Sequence, residues 1–361
     1  MTGQLVVLAA GGTGGHMFPA EALASALLNR GCRVALITDR RGQAFTERLP
    51  GVALHRIPAG RLGAGIVQKA LGLAEMLTGT LAAGKLLRAL RPAVAVGFGG
   101  YPSVPTMLGA RRQRVATVLH EQNALVGRAN RLLAPRVSRI ATSFPGTRGL
   151  SAADTTRSVV VGNPVRPEAA RQRDVAYQAP ADTINLLVTG GSQGARILST
   201  VIPSALGLLP PAIKARVKLA QQARPEDVEQ VRATHRANGI DAEVASFFHD
   251  IPERLAATHL VICRAGASTV AELCVVGRPS ILVPFAAAAD DHQSVNARAL
   301  ATAGAAWIMP EHEFTPEALA ARLATLLTSP DALQAAASAA HALGRPDAAE
   351  RLADLVMECA A

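Results

Sequence analysis

The chain has 361 residues, 49% of them apolar and 18% charged, with a formal net charge of +10. That length and composition exclude a disordered or fibrous chain and suit two globular α/β-sized domains better than one core. The positive balance fits a polyanionic partner. With two Tyr, eight Phe and one Trp there are few platforms for stacked bases, so a phosphorylated substrate or an anionic membrane face is expected and nucleic acid is not.

In chain order, residues 1–20 carry no Lys or Arg and have glycines where a signal peptide needs an apolar run, so export is not expected. Strand-like runs follow at LVVLAA (5–10), RVALIT (33–38), AVAVGF (93–98), ATVLHE (116–121), INLLVTG (184–190), VKLAQ (217–221), LVICRAG (260–266) and SILVPF (280–285). Each leads into loop and helix signals, the rhythm of parallel sheets with crossover helices. The uncharged stretch from Pro92 to Ala110 is broken by prolines and glycines and is no membrane span. Segment 61–92 places Leu71, Leu73, Leu77 and Leu81 at helical spacing with Lys69, Lys85 and Arg88 nearby, which predicts an amphipathic helix. Residues 161–183, VGNPVRPEAARQRDVAYQAPADT, are rich in Pro and charge and read as an interdomain linker. The four cysteines, Cys32, Cys263, Cys274 and Cys359, have no metal-ligand spacing and read as reduced thiols of a cytosolic chain.

A weak internal repeat carries more. LVVLAAGGTGGHMFP and NLLVTGGSQGARIL are each strand, glycine-rich turn and helix, and each opens one half of the chain. The pattern predicts two Rossmann-like α/β domains facing across a cleft, over 1–163 and 164–341, with each turn at the carboxyl edge of its sheet. The dinucleotide fingerprint fails in the first turn, where the third glycine position holds Met17; Asp39 at the end of the second strand keeps a dehydrogenase open as an alternative. A glycine turn entering a helix also suits an anion, through unhindered amides and the positive helix end. The third loop, CRAGASTVAEL, starts a helix near Ser268 or Thr269. There Glu272 either closes a capping box with Thr269 or binds the two hydroxyls of a ribose.

Seven blocks, GGTGGHMFPA, GFGGYPSVP, LHEQNALVGRANR, VGNPVR, GGSQGARILS, CRAGASTVAEL and DDHQSVNA, occur in the order and approximate spacing of the MurG family, which the chain therefore resembles over about residues 5–310. The resemblance implies a GT-B glycosyltransferase that moves N-acetylglucosamine from UDP-N-acetylglucosamine to the 4-hydroxyl of lipid I, with inversion, no cofactor and no bound metal. It implies a peripheral protein on the cytoplasmic face of the inner membrane, with segment 61–92 offered to anionic lipid, although no aromatic anchors stand there. By the same resemblance, the helix from about 342 to 361 returns to the N-terminal, acceptor-side domain, and the second domain takes the UDP-sugar. Related GT-B enzymes, such as a UDP-N-acetylglucosamine 2-epimerase or a diacylglycerol glycosyltransferase, and a non-catalytic nucleotide-sugar binding subunit are the alternatives.

Matched motif by motif, Ala267, Ser268, Thr269, Val270, Ala271 and Glu272 would seat the uridine and its ribose, and Gln293 the sugar hydroxyls. Asn123 would reach the N-acetylglucosamine, and Thr13, Gly14 and Gly15 would cradle the acceptor's diphosphate or the donor's sugar. No Asp-x-Asp pair is present to hold a cation on the diphosphate. The charge of the leaving UDP would then fall to helix amides, Ser192 and Arg166. His16 is the first candidate for the base that takes the acceptor proton, with phosphate donation or helix capping as its other roles. Glu121 is the second candidate, its other reading being a carboxylate that orients the loop.

Overall fold

The computed structural model describes residues 3–11, 14–39, 51–60, 65–191 and 194–360. The chain divides into two compact units, Met1–Arg166 together with Asp347–Ala361, and Pro167–Pro346. The crossing points thus lie at Arg166 and Pro346, a few residues beyond the sequence expectation, because a helix continues through Pro330–Leu343 before the chain turns at Gly344.

In the first unit seven parallel strands run as β1 (Leu5–Ala9), β2 (Arg33–Thr38), β3 (Ala53–Arg56), β4 (Val94–Gly97), β5 (Ala116–Glu121), β6 (Arg139–Thr142) and β7 (Ser158–Val160). Their spatial order is β3-β2-β1-β4-β5-β6-β7. The crossovers include α1 (Gly14–Asn29), α2 (Ile66–Leu90) and α3 (Ser103–Arg112). Every residue of β1 and β4 is buried, as expected for parallel strands covered on both faces, and this is why they read as unbroken apolar runs. One layer of core joins Val6, Leu8, Leu23, Leu27 and Val96 to Leu352, Leu355 and Val356 of the Ala348–Ala360 helix. That helix lies along α1, and Arg30 ties it down through Glu350 at 2.5 Å and Asp354 at 2.7 Å.

On the other face α2 packs on α3. Among the described residues its buried stripe is mostly small, Gly72, Gly79, Ala83 and Gly84, with Leu87 at its end. A Cβ at Gly79 would stand 2.1 Å from the Pro58 carbonyl oxygen, so only glycine allows that approach. The opposite stripe, Leu73, Leu77, Leu81 and Lys85 at four-residue spacing, is exposed.

The second unit repeats the plan with β8 (Ile184–Thr189), β9 (Val217–Gln222), β10 (Asp241–Ala245), β11 (Leu260–Cys263), β12 (Ser280–Leu282) and β13 (Ala306–Ile308). All pairs are parallel, in the order β10-β9-β8-β11-β12-β13. The linker residues enter this unit as a short helix, Pro167–Arg171, and a 3-10 turn, Gln172–Asp174. Fully buried Arg278 anchors them. Its guanidinium donates to the carbonyls of Leu255, Ala256, Val276, Gly277 and Val175, so helix ends and linker share one cation.

Both sheets reverse their strand order once, between β1 and β4 and between β8 and β11. Parallel α/β sheets bind ligands beside such points, at the carboxyl ends of the strands. The register makes those ends level: Ala9 pairs with Gly97, and Thr189 with Cys263.

Candidate active site

At the switch point of the first unit, three neighbouring strands deliver the conspicuous motifs. After β1 the chain enters α1, which begins at Gly14, so Gly14, Gly15 and His16 form its first turn. After β4 come Phe98, Gly99 and Gly100, the two glycines at φ 82° and 71° in the left-handed region that other residues rarely adopt. A Cβ on Gly100 would stand 3.3 Å from the His16 ring, so the glycine lets the two loops meet. After β5 come Gln122 and Asn123. Thr13 lies outside the described residues.

His16 is half-buried, with Nδ1 3.2 Å from Gln122 Oε1. Gln122 itself is buried; its amide nitrogen donates to Phe98 O at 3.0 Å and His120 O at 3.1 Å and lies 3.0 Å from His120 Nδ1. His120 Nε2 in turn lies 3.1 Å from Gly162 O. Burial pushes the His120 imidazole down to about 4, so it stays neutral at physiological pH.

Glu121 is 1% exposed, and its carboxylate is fully occupied. Oε1 accepts from Asn123 N at 2.9 Å and Asn123 Nδ2 at 3.2 Å, Oε2 from Gly127 N at 3.0 Å and Asn130 Nδ2 at 2.7 Å. That geometry fits the loop-orienting reading of Glu121 better than the base, and it fixes the Asn123 amide. Arg166 stacks its guanidinium 5.3 Å above the ring of Phe18, two residues after His16 on α1.

At the switch point of the second unit, β8 runs into Gly190, Gly191 and Gly194; Ser192 lies outside the described residues. Gln222, at the end of β9, holds this turn. Its Oε1 accepts from Thr189 Oγ1 at 2.9 Å and Gly190 N at 3.1 Å, and its Nε2 donates to Gly191 O at 3.0 Å. After β11 the helix Ala267–Val276 opens on Gly266, which contributes no side-chain cap. The capping box expected between Thr269 and Glu272 therefore does not form. The helix starts at Ala267, with Gly266 extended at φ −67° and ψ 143° as its N-cap, which puts Thr269 inside the first turn and Glu272 in the second.

Ser268 and Glu272, four residues apart, share one helix face. The Ser268 hydroxyl is buried without a hydrogen-bond partner among the described residues, and Glu272 is buried. Ala267, Val270 and Ala271 supply backbone and small apolar surface around them. Gln293, on the helix His292–Thr302, accepts from Phe285 N at 3.0 Å through Oε1, which leaves its NH2 as the donor end. Asp290 and Asp291 both sit at φ 54°, and Asp291 turns to Ser294 Oγ at 2.6 Å and to Arg298.

Residues 6–142 match the glycosyltransferase family 28 N-terminal domain and residues 185–352 the glycosyltransferase family 28 C-terminal domain. The chain is 55% identical over 357 residues, 98% of it and 94% of the other protein, to the UDP-N-acetylglucosamine--N-acetylmuramyl-(pentapeptide) pyrophosphoryl-undecaprenol N-acetylglucosamine transferase of Rhodospirillum centenum (strain ATCC 51521 / SW). The chain belongs to the MurG branch of glycosyltransferase family 28. The protein of the same name from Rhodospirillum rubrum is 55% identical over 97% of this chain and 91% of its own. The crystal structure of Acinetobacter baumannii MurG superposes with a TM-score of 0.81 at 29% identity, covering 98% of this chain and 99% of that one. The fold is thus the GT-B pair of Rossmann-like domains, and the chain is a glycosyltransferase.

In this MurG-family chain the sequence motifs gather as two groups, one in each unit. Gly14, Gly15, His16, Glu121, Asn123 and Arg166 belong to the first, and Ala267 to Glu272 with Gln293 to the second. Two residues that sequence reasoning passed over hold the loops in shape, Gln122 behind the first group and Gln222 behind the glycine turn after β8. Each stands at the carboxyl end of a strand run, and an uncharged amide at a strand end was the only available signal.

Proposed function

We propose that this chain transfers N-acetylglucosamine from UDP-N-acetylglucosamine to the 4-hydroxyl of the muramyl sugar of lipid I, giving lipid II for peptidoglycan synthesis. The carrying observation is the 55% identity, over nearly the whole of both chains, to a transferase named for that reaction. In the second unit the first-turn amides of the Ala267–Val276 helix and the Ser268 hydroxyl take the uridine diphosphate, for which an uncapped helix start and a buried hydroxyl are suited. Glu272, on the same face, accepts from both ribose hydroxyls, and the Gln293 NH2 donates to the sugar.

In the first unit His16 accepts the proton of the acceptor 4-hydroxyl as its oxygen attacks the anomeric carbon. The bond from that carbon to the diphosphate oxygen breaks with inversion, and UDP leaves with the electron pair. Helix amides and Arg166 meet the charge that develops on it. Thr13, Gly14 and Gly15 cradle a diphosphate or the donor sugar, and Asn123, oriented by Glu121, contacts the N-acetylglucosamine. Ser192 would add a hydroxyl to the diphosphate.

The first unit is the acceptor side, and α2 is its membrane surface. Leu71, Leu73, Leu77 and Leu81 are 55–61% exposed there. Among the described residues no helix is long and apolar enough to cross a membrane. This supports a peripheral seat on the anionic cytoplasmic face of the inner membrane, reached through exposed leucines and nearby basic residues.

The test is incubation with UDP-N-acetylglucosamine and a lipid I analogue. Release of UDP with formation of the disaccharide product supports the reading, and donor binding without UDP release refutes it. His16→Ala should lower kcat by roughly 10²–10⁴-fold at near-normal UDP affinity and remove the acidic limb of the kcat profile. A fall in UDP affinity as large as the fall in kcat would instead make His16 a phosphate donor.

A further inference from the structure

The hydrogen-bond chain behind His16 has a definite polarity, set by groups that can only accept. Phe98 O and His120 O are carbonyls, so the Gln122 atom 3.0 and 3.1 Å from them is the amide nitrogen. Gly162 O is also a carbonyl, so His120 Nε2, 3.1 Å away, carries the ring proton. Its Nδ1 then carries the ring's lone pair, 3.0 Å from Gln122 Nε2, whose two hydrogens are shared among this nitrogen and the two carbonyls. With the nitrogen end of Gln122 committed, its Oε1 faces His16 Nδ1 at 3.2 Å and can only accept. His16 Nδ1 therefore donates, and in the neutral ring the lone pair belongs to Nε2.

We propose that Gln122 is a positioning residue that fixes His16 as the Nδ1–H tautomer, so that Nε2 is the nitrogen that takes a proton from the acceptor. The inference rests on the reading of His16 as the base and adds how that base is poised. His120 is the far anchor. Burial keeps it neutral well below physiological pH, with a value of about 4, so it does not gain a second proton that would turn Nδ1 into a donor and oppose the Gln122 amide. The whole relay, from Gly162 through His120 and Gln122 to His16, lies inside the first unit. It is held by the ends of β4 and β5 rather than by a mobile loop, the kind of second layer of hydrogen bonds that sets a catalytic imidazole.

The alternative assignment is self-defeating. Turning the amide over would put Oε1 against two carbonyl oxygens and the His120 Nδ1 lone pair, losing every bond that the NH2 makes there, while the His16 contact would only exchange donor and acceptor.

The experiment is a two-bond 1H–15N correlation spectrum of the full chain labelled with 15N-histidine, at a pH where the ring is neutral, with the His16 signals assigned by His16→Gln. The expected wild-type pattern is protonated Nδ1 and bare Nε2. Gln122→Met, which keeps the length and removes both polar ends, should move His16 toward Nε2–H. It should also lower kcat by roughly 10–10³-fold with donor KM within about twofold. Gln122→Glu keeps an acceptor toward His16, so it should retain the Nδ1–H pattern and more kcat than Gln122→Met even where it is less stable. A purely structural role for Gln122 predicts the reverse order.

An Nε2–H pattern in the wild-type protein overturns the proposal with no variant needed, and so does an unchanged pattern in a folded Gln122→Met. Failure of the underlying reading looks different. His16→Ala with wild-type kcat removes the base role, and the spectrum still reports the tautomer.

Discussion

Glu121→Gln separates a structural carboxylate from a catalytic one. In the folded chain each carboxylate oxygen accepts two N–H donors, Asn123 N and Nδ2 on one side and Gly127 N and Asn130 Nδ2 on the other. A glutamine keeps one oxygen and must turn its NH2 toward the other two donors. Whichever way it turns, two charge-assisted hydrogen bonds are lost, at about 1.5–3 kcal/mol each, on a side chain that is only 1% exposed. The expected loss is about 3–6 kcal/mol, which for a unit of this size lowers its Tm by roughly 6–24 °C. Calorimetry or thermal circular dichroism reads it directly, with kcat measured on the same samples below the transition. A Tm unchanged within about 1 °C together with a collapse of kcat would refute the reasoning, since it would mean that the carboxylate acts on the substrate and the four donors are incidental.

Glu272→Gln should raise the donor KM while leaving Tm nearly unchanged, because no capping box is there to be lost; a large Tm drop with unaltered donor binding would count against the ribose role. Folding stability should fall as pH drops from about 6.5 to about 4. His120 and His235 are both pushed by burial to about 4, so the unfolded chain takes up their protons first. Each can contribute up to about 3 kcal/mol over that window, and urea midpoints equal at neutral pH and near the lower end would contradict it. Leu77→Glu with Leu81→Glu should weaken sedimentation with vesicles rich in anionic lipid by about tenfold or more, with kcat on a water-soluble acceptor preserved; unchanged sedimentation would move the membrane surface elsewhere.

What could be read from the sequence followed burial. The eight strands visible as apolar runs are the covered ones, whereas β3, β7, β10 and β13 are the four edges of the two sheets. Edge strands such as Ala53–Arg56 and Asp241–Ala245 present one side to solvent and alternate or lose their apolar residues. The interior strand that escaped notice, Arg139–Thr142, has only Ile140 and Ala141 as apolar residues, set between an exposed arginine and a threonine. The motifs were legible because glycines, a histidine and acidic side chains stand out against apolar strands. The start of the Ala267–Val276 helix was not, since Gly266 and Thr269 are both good N-caps and only the backbone chooses between them. Gln122 was invisible for a similar reason. Its importance lies in which four groups surround it, and sequence spacing carries none of them.

The helix Ala348–Ala360 gives the first unit a dependence on chain order. Leu352, Leu355 and Val356 belong to the same core as Val6 and Leu8, yet Pro167–Pro346 separates the two parts. During synthesis at about 5–20 residues per second, that intervening segment takes on the order of 10–40 s. Through that interval the nascent first unit carries an apolar groove along α1 with nothing of its own to fill it. The second unit, continuous in sequence, has no such wait. The first unit is therefore the last to finish, and a ribosome that stalls late leaves the second unit complete while the first is still open along one side.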